Sequence, residues 1–471
     1  MKTQKLGLDS ATDTIKVDLS DLPTSKFKIS INQGSIQRLI SKLNLRGKKL
    51  YVELNTCESQ CKKKPLSVKR LFLSDWKQGR RIPIDCFHKL CDIANENPEN
   101  YSKSIFEVNS GSSSNPWKTT FPITLDSDFF TLAETIKVEG YIMKEHFQGF
   151  AISNKDIQLL ERIEECTLKK GVDVSCFSRM LHIYIYLSES QEIKSIKDAN
   201  RNELHFKVNN GRLIFTKSVK NYDINEQYVL TLKDNTTTPL SVCISNNLIS
   251  TRSDLVRSTA HAVLQVYNSV FSRALHHIFK IPVGIGTQKS YVIDLPFDIS
   301  LLSEDILKTI LSVVFSCESN VLLHKGTRSV KIKMASRIYL IRIRTILKKF
   351  DIDTTLVKST DGLHVLTVWR RANLLKLSKI IDWFTVYKKQ TMDKILNSYV
   401  DNRFTHYEAQ NKYLLCLREN GFLTVEQASK LIGRGEAAVR KYFNILCNKN
   451  LAKRRKTALR TGGFFYTYYL R

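Results

Sequence analysis

The sequence predicts an α+β protein, with a duplicated unit of apolar helix and alternating strand at its centre and small helical domains at either end. Three observations carry this expectation. An apolar helical pattern ending in an acid occurs twice, at residues 131–141 (TLAETIKVEGY) and 310–320 (ILSVVFSCESN), with Glu139 and Glu318 in register 179 residues apart. Strict alternation follows each copy, LHIYIYL from Leu181 and LHVLTVW from Leu363, 182 residues apart, so the order and nearly the spacing repeat. Beyond residue 411 the composition changes: residues 411–471 hold 13 Lys and Arg against 3 Glu, which is +10 of the whole chain's +28.

A chain of 471 residues is too long for one compact core and should divide into several domains. Its 73 Lys and Arg against 45 Asp and Glu, with a pI near 9.6, make a polyanion the first partner to consider. Nucleic acid is favoured over a membrane surface, because there is no basic amphipathic helix, no lipidation signal and no apolar run of spanning length. The opening MKTQKLGLDSATDTIKV has no apolar core between its charges, so the expected location is cytoplasmic and nucleoid-associated. Ten cysteines occur without a CxxC, and the pairs Cys57/Cys61 and Cys86/Cys91 have the wrong spacing for a zinc finger or ribbon. They read as reduced thiols, with a metal site near the N-terminus as the lesser alternative.

In chain order, residues 1–30 are polar and aperiodic. Residues 31–109 read as a small all-α, helix-turn-helix-like domain: SIQRLISKL has helical spacing, Gly79 breaks a second helix, and Pro83 opens a third. Lys69, Arg70, Lys77, Arg80 and Arg81 surround that turn, suited to phosphates or simply to solvent. Residues 110–120 are a Ser/Gly-rich linker. The first repeat occupies 121–300. It contains the first acid-ended helix, then an amphipathic helix capped by Ser153 or Asn154 and stopped at Gly171. Next comes a strand with Leu181, Ile183, Ile185 and Leu187 on one face and His182, Tyr184 and Tyr186 on the other. Residues 188–240 look like a polar insertion or an extra hairpin of low order, and 254–280 like one long helix. The second repeat, 301–400, replays helix, strand (RSVKIKM), helix and alternating strand. Residues 411–471 read as three helices and a β-hairpin, with Thr424 as N-cap, Gly433 between helices and Gly462-Gly463 at the turn: a winged helix whose excess charge suits DNA better than dimerisation.

Set side by side, the nine residues from Leu132 to Gly140 and the nine from Leu311 to Ser319 resemble the doubled signature helix of the LAGLIDADG homing endonuclease family. IPVGIGTQKSYVIDLPFDIS resembles the end of that family's first half, where a helix gives way to a Gly-Lys-Ser strand and a Pro; RRANLLKLSKIIDWFTVYKKQTMDKIL resembles the end of the second. The resemblance covers residues 120–400. It implies a pseudo-twofold α/β saddle, monomeric and bound to double-stranded DNA, with the two helix-end acids beneath the scissile phosphates. Phosphodiester hydrolysis needs an activated water and charge stabilisation, which Mg²⁺ held by hard carboxylate oxygens supplies. Glu139 and Glu318 match as catalytic and metal-binding acids; Lys289 and Lys388 match basic residues that polarise water or phosphate. A curved sheet can lie in the major groove, which makes His182, Tyr184, Tyr186, Lys331, Lys333, His364 and Arg370 reading candidates. In the winged helix the DNA candidates are Arg434, Arg440, Lys441, Lys453, Arg454, Arg455 and Arg460. Departures from the pattern are Glu134 and Val313 at the usually small position, Lys137 and Ser316 at the usually acidic sixth, and Ser319 for the closing glycine. Relatives in the family include transcriptional regulators that bind without cutting and RNA-binding maturases, and both stand as alternatives to a nuclease.

Overall fold

The computed structural model describes residues 7–9, 14–23, 26–45, 47–57, 59, 74–110, 115–144, 147–187, 192–209, 212–284, 287–324, 327–399, 406–459 and 463–471. The fold is α+β. Two compact units are present: Met1–Cys317 with Met334–Ile346 and Asp382–Thr385, and Glu318–Lys333 with Leu347–Ile381 and Val386–Arg471.

Strands interleave with helices from the start of the first unit. β1 (Gly7–Asp9), β2 (Thr14–Val17) and β7 (Ile123–Leu125) form a three-stranded antiparallel sheet. β3 (Lys28–Ile31), β4 (Ile82–Pro83), β5 (Ile105–Asn109) and β6 (Trp117–Lys118) form another, in the order β4-β3-β5-β6. Around it lie α1 (Gln33–Ser41), α2 (Lys48–Leu54), α3 (Ile84–Ile93) and α4 (Glu99–Ser102). The all-α expectation for residues 31–109 is therefore corrected; strands of 2 to 5 residues are too short to leave a period-2 trace. Two further corrections follow. The polar opening supplies β2, and the end of the Ser/Gly-rich linker supplies β6, where fully buried Trp117 donates from Nε1 to the Lys170 carbonyl at 2.6 Å. Lys77, Arg80 and Arg81 are exposed, while Lys69 and Arg70 lie outside the described residues.

α5 (Ser127–Val138) starts where the Asp126 carboxylate accepts from the Phe129 N–H, and Phe129 to Lys137 are all buried. A helix apolar on most sides can be stable only when enclosed, and this one is. β8 (Gly140–Ile142) and β9 (Phe150–Asn154) follow, then α6 (Ile157–Lys169). Its cap is Asp156, which accepts from the Gln158 N–H at 3.0 Å; Ser153 and Asn154 are spent in β9. Gly171, with φ at 81°, ends the helix as expected.

β10 (Phe177–Tyr186) lies at the heart of a six-stranded antiparallel sheet. The expectation of low order for residues 188–240 is corrected: the described residues there contribute strands to two sheets, one antiparallel pair among them matching the extra hairpin. β12 (Phe206–Asn209) and β13 (Arg212–Ser218) extend the central sheet, while β11 (Ile193–Asp198), β14 (Asn225–Leu232), β15 (Thr237–Ser245) and β16 (Leu248–Arg252) make a four-stranded sheet of their own. Ile196, Leu230, Leu240 and Val242 are fully buried, so it has an apolar face. The expected long helix over 254–280 is also corrected: β17 (Arg257–Val266) pairs with β10 along its whole length, and α7 (Ser269–Phe279) begins only at the Asn268 cap. The central order is β12-β13-β10-β17-β9-β8.

Leu181, Ile183 and Ile185 of β10, Leu213 and Phe215 of β13, and Ala260 and Ala262 of β17 share the buried face. Helices pack on that side, with Phe271 of α7 6.4 Å from Phe150 of β9 and Phe279 5.3 Å from Phe130 of α5. The inserted sheet covers the same side farther along, through Tyr228 against Phe215 at 5.0 Å. α8 (Thr287–Val292) is a helix where the Gly-Lys-Ser strand was expected. α9 (Glu304–Glu318), as far as Cys317, and the start of α10 (Arg337–Lys349) complete this unit.

In the second unit, β18 (Ser319–His324), β19 (Thr327–Met334), β20 (Thr354–Lys358) and β21 (His364–Val368) form a sheet in the order β18-β19-β21-β20. α11 (Arg371–Ile380) and α12 (Val386–Asn397) follow. Arg328 of β19 donates from Nε to Ser398 Oγ at 2.7 Å and stacks on Tyr399 at 4.8 Å, which ties the end of α12 to the sheet. The C-terminal region comprises α13 (His406–Asn420), β22 (Phe422–Thr424), α14 (Val425–Ile432), α15 (Glu436–Asn448), β23 (Ala452–Leu459) and β24 (Gly463–Leu470). Its sheet order is β22-β24-β23, and Tyr413, Leu417, Val439, Phe443, Leu446 and Tyr468 form its core. Thr424 and Gln427 form a reciprocal capping box, and Gly433 adopts φ 68° at the end of α14. Among the described residues no helix is long and apolar enough to cross a membrane.

Candidate nucleic-acid interface and helix-end acids

Glu139 caps the C-terminal end of α5, half-buried, with its N–H donating to the Thr135 carbonyl at 2.8 Å. Gly140 is required next to it: a Cβ there would lie 2.6 Å from the Ala151 carbonyl oxygen and 2.8 Å from Ile152 Cγ1. Glu318 is the last residue of α9 and is also half-buried; buried Ser319 opens β18 directly after it. Both acids are hard oxygen donors of the kind Mg²⁺ takes, and they sit at helix ends where the dipole gives a carboxylate no support. Lys388 on α12 is buried, with Nζ 5.9 Å from the Tyr387 ring. Lys289 falls on α8, and its side chain lies outside the described residues.

Three of the departures from the motif, Glu134, Lys137 and Ser316, have a local polar partner. Lys137 Nζ donates to Glu134 Oε1 at 2.7 Å, and the Tyr339 hydroxyl of α10 donates to Glu134 Oε2; all three residues are fully buried or nearly so. On α9, Ser312 Oγ and Ser316 Oγ accept from the Asp382 and Phe384 N–H groups, both at 2.9 Å, while Phe315 meets Trp383 edge-on at 6.4 Å. Glu134, Lys137 and Ser316 are thus polar fasteners inside the first unit.

On the central sheet the face opposite the helices carries His182, Tyr184 and Tyr186; alternation groups these three on one face without saying which face turns inward. Antiparallel register adds residues that no local pattern identifies. Tyr186 pairs with Arg212 on one side and Arg257 on the other, and both guanidiniums lie against its ring at 5.4 and 5.6 Å. His182 faces His261, whose ring meets Tyr184 edge-on at 5.7 Å. Burial pulls both imidazoles below their ordinary value, and Lys155 and His182 push His261 the same way. At pH 7 this face therefore presents neutral imidazoles beside fixed arginine charge.

On β19, Lys331 and Lys333 alternate with buried Val330, Ile332 and Met334, which puts both lysines on the open side; Lys333 pairs with Asp361. His364 is corrected: it shares parity with buried Leu366 and Val368 and so belongs to the covered side. Arg370 lies past the strand, exposed, as the N-cap residue of α11 with φ 70°, its guanidinium 4.4 Å above Trp369.

In the C-terminal region Arg440 and Lys441 are exposed on α15, and Lys453, Arg454, Arg455 and Lys456 are all exposed on β23. Pairing with β24 sorts the strand into two faces. Arg454 and Lys456 stand over Tyr466 and Phe464, at 5.1 and 3.9 Å, while Lys453 and Arg455 point to the other side. Lys456 was not anticipated; its position opposite an aromatic depends on the hairpin register. A cleft of about 600 Å³ between α15 and this hairpin is lined by Glu436, Arg440, Asn444, Arg454 and Tyr466. Arg434 is half-buried between α14 and α15, and its carbonyl accepts from Ser429 Oγ at 2.5 Å; Arg460 lies outside the described residues.

No protein-family model matches the sequence, and no curated protein matches it. Among solved structures, full-length DUF199/WhiA from Thermatoga maritima is similar over 69% of this chain and 93% of its own, at 10% identity and a TM-score of 0.29. The N-terminal LAGLIDADG domain of DUF199/WhiA covers 54% of this chain and 82% of its own, at 11% identity and 0.25. I-DmoI in complex with DNA and Ca covers 54% and 88%, at 9% identity and 0.25. Likenesses this slight carry no weight for fold or function.

Proposed function

We propose that the chain is a double-stranded DNA-binding protein of LAGLIDADG-like, duplicated saddle architecture, with a C-terminal winged helix that supplies much of its grip on phosphate. The observation that carries this reading is the row of exposed cations on β23, Lys453 to Lys456, beside exposed Arg440 and Lys441 on α15. Six fixed positive charges on a helix and an adjoining hairpin match a duplex backbone, and a dimerisation surface has no need of them. On this reading the open face of the central sheet, with Arg212, Tyr186 and Arg257, addresses the groove.

Metal-dependent cleavage is the second reading, favoured by the acids retained at both signature-helix ends. Glu139 and Glu318 would hold Mg²⁺, which when bound supplies charge stabilisation and an activated water. The residues' own part is to offer one hard carboxylate from each helix end. Lys388 and Lys289 would contribute positive charge near the phosphate. Without cleavage, the same protein is a regulator.

Selection from a genomic duplex library tests both readings when scored separately for binding and, with Mg²⁺, for cutting. Specific binding with log affinity falling linearly against log salt is expected, at about −0.9 per phosphate neutralised. Affinity indifferent to salt would refute the nucleic-acid reading, and tighter binding to structured RNA than to any duplex DNA would move it to the maturase class. If the parent cuts, Glu139→Gln and Glu318→Gln should each abolish cutting and keep binding. Equal cutting by both variants would remove these acids from the mechanism.

A further inference from the structure

Among the described residues, one group of metal-ligating side chains includes neither Glu139 nor Glu318: Cys57, Asp85 and Cys86, whose ligand atoms all lie within 4.8 Å of one another. We propose that these three residues bind a zinc-class divalent cation that fastens α2 to α3 in the N-terminal region. Cys57 follows the last turn of α2, its N–H donating to the Leu54 carbonyl at 3.3 Å, and Asp85 and Cys86 open α3. Chain segments 28 residues apart thus deliver two thiols and a carboxylate to one point.

The donor set selects the ion. Two thiolates and one carboxylate suit zinc and its neighbours, whereas magnesium and calcium take oxygen alone. Three protein donors and one water complete a tetrahedron. The thiols are sheltered, at 7% exposure for Cys57 and 0% for Cys86, while half-buried Asp85 keeps the point within reach of solvent.

The carboxylate is already oriented by its neighbours. Asp85 Oδ2 accepts from the Ser59 N–H at 2.8 Å, and Oδ1 accepts from Ser59 Oγ at 2.7 Å and from the Cys86 N–H at 2.8 Å. Such outer contacts fix ligand direction in metal sites generally. Binding converts two thiols to thiolates and releases their two protons to solvent; nothing is oxidised or reduced. The region gains a cross-link where its helices are short and its strands shorter, the circumstance in which small domains use metal.

The test uses the full-length reduced protein, stripped with a chelator and titrated with Co²⁺ as a spectroscopic stand-in for zinc. One equivalent should bind with a sulfur-to-cobalt charge-transfer band, and Zn²⁺ should displace it. Cys57→Ser and Cys86→Ser should each lose that band. Ser59→Ala, which keeps every ligand, should weaken binding about tenfold. It also keeps the test informative if the cysteine variants fold poorly. Absence of a thiolate band in the reduced wild-type protein overturns the proposal. So does a Cys57–Cys86 disulfide as the only product of the pair, with no metal uptake after reduction, and so does unchanged affinity in Ser59→Ala together with an unchanged band in either serine variant.

Discussion

The ammonium of Lys137 lies 2.7 Å from the carboxylate of Glu134, one helical turn away, with neither side chain reaching solvent. Burying two charges is costly, and removing one partner strands the other. Glu134→Gln and Lys137→Met should each destabilise the first unit by about 3–5 kcal/mol in denaturant melts. Replacing the network whole, with Glu134→Leu, Lys137→Leu and Tyr339→Phe together, should cost far less or even stabilise. If either single variant melts like the parent, the pair is not the fastener described.

Cross-strand His182 and His261 should make stability fall on acidification. Both imidazoles have folded pKa values below the ordinary 6.5, because burial disfavours their charged form. The unfolded chain therefore takes up protons first as pH drops, so stability is full above about pH 6.5 and declines as pH falls towards the lowered folded values. His182→Gln with His261→Gln should flatten that slope in melting temperature between about pH 7.5 and 5.5. A slope identical to the parent's would assign acid sensitivity to other groups.

Gly171 combines a left-handed φ of 81° with a carbonyl, that of Lys118, 1.9 Å from where a Cβ would stand. Gly47 has φ 56° and nothing within 4 Å of the same position. Gly171→Ala should cost more than Gly47→Ala: both incur backbone strain of about 1–3 kcal/mol, and Gly171→Ala adds about 1–3 kcal/mol of overpacking against the Lys118 carbonyl. Comparable effects at both sites would show that β6 gives way easily.

On the reading of the C-terminal region as a DNA-binding module, Arg440→Ala, Lys453→Ala and Arg455→Ala should each weaken duplex binding across all sequences. Each should lower the slope of log affinity against log salt by about 1. Deleting residues 411–471 should reduce affinity by roughly an order of magnitude or more while leaving a folded core. Undiminished binding by the truncated protein would reassign this region to protein contacts.

Long periodic elements were legible in the sequence. The second half of β10 alternates strictly, and both acid-ended helices fall within a few residues of their expected places. What failed to show was non-local. RSTAHAVLQV fits helical spacing as well as a strand, and it is extended because β10 pairs with it through Phe177↔Val266 to Tyr186↔Arg257. β14 and β15 hide their buried alternation among Asn, Gln and Thr. The same limit governs the candidate sites. His182, Tyr184 and Tyr186 could be named from periodicity, but Arg212, Arg257 and His261 join them only through strand register, and Cys57 meets Asp85 and Cys86 only once α2 and α3 are side by side.

The long pairing of β10 with β17 has a kinetic side. Tyr186 and Arg257 are partners although 71 residues separate them, and closing so long an unstructured loop would slow folding. The intervening chain removes much of that cost. β13 folds back on β10 as a near neighbour, and β14, β15 and β16 follow one another as hairpins, so each can form early from local contacts. Once they have formed, β16 ends at Arg252, only a short step before β17 begins at Arg257. The inserted sheet would then act as a folding guide, delivering the distant strand to its partner and leaving few residues free to wander during the search.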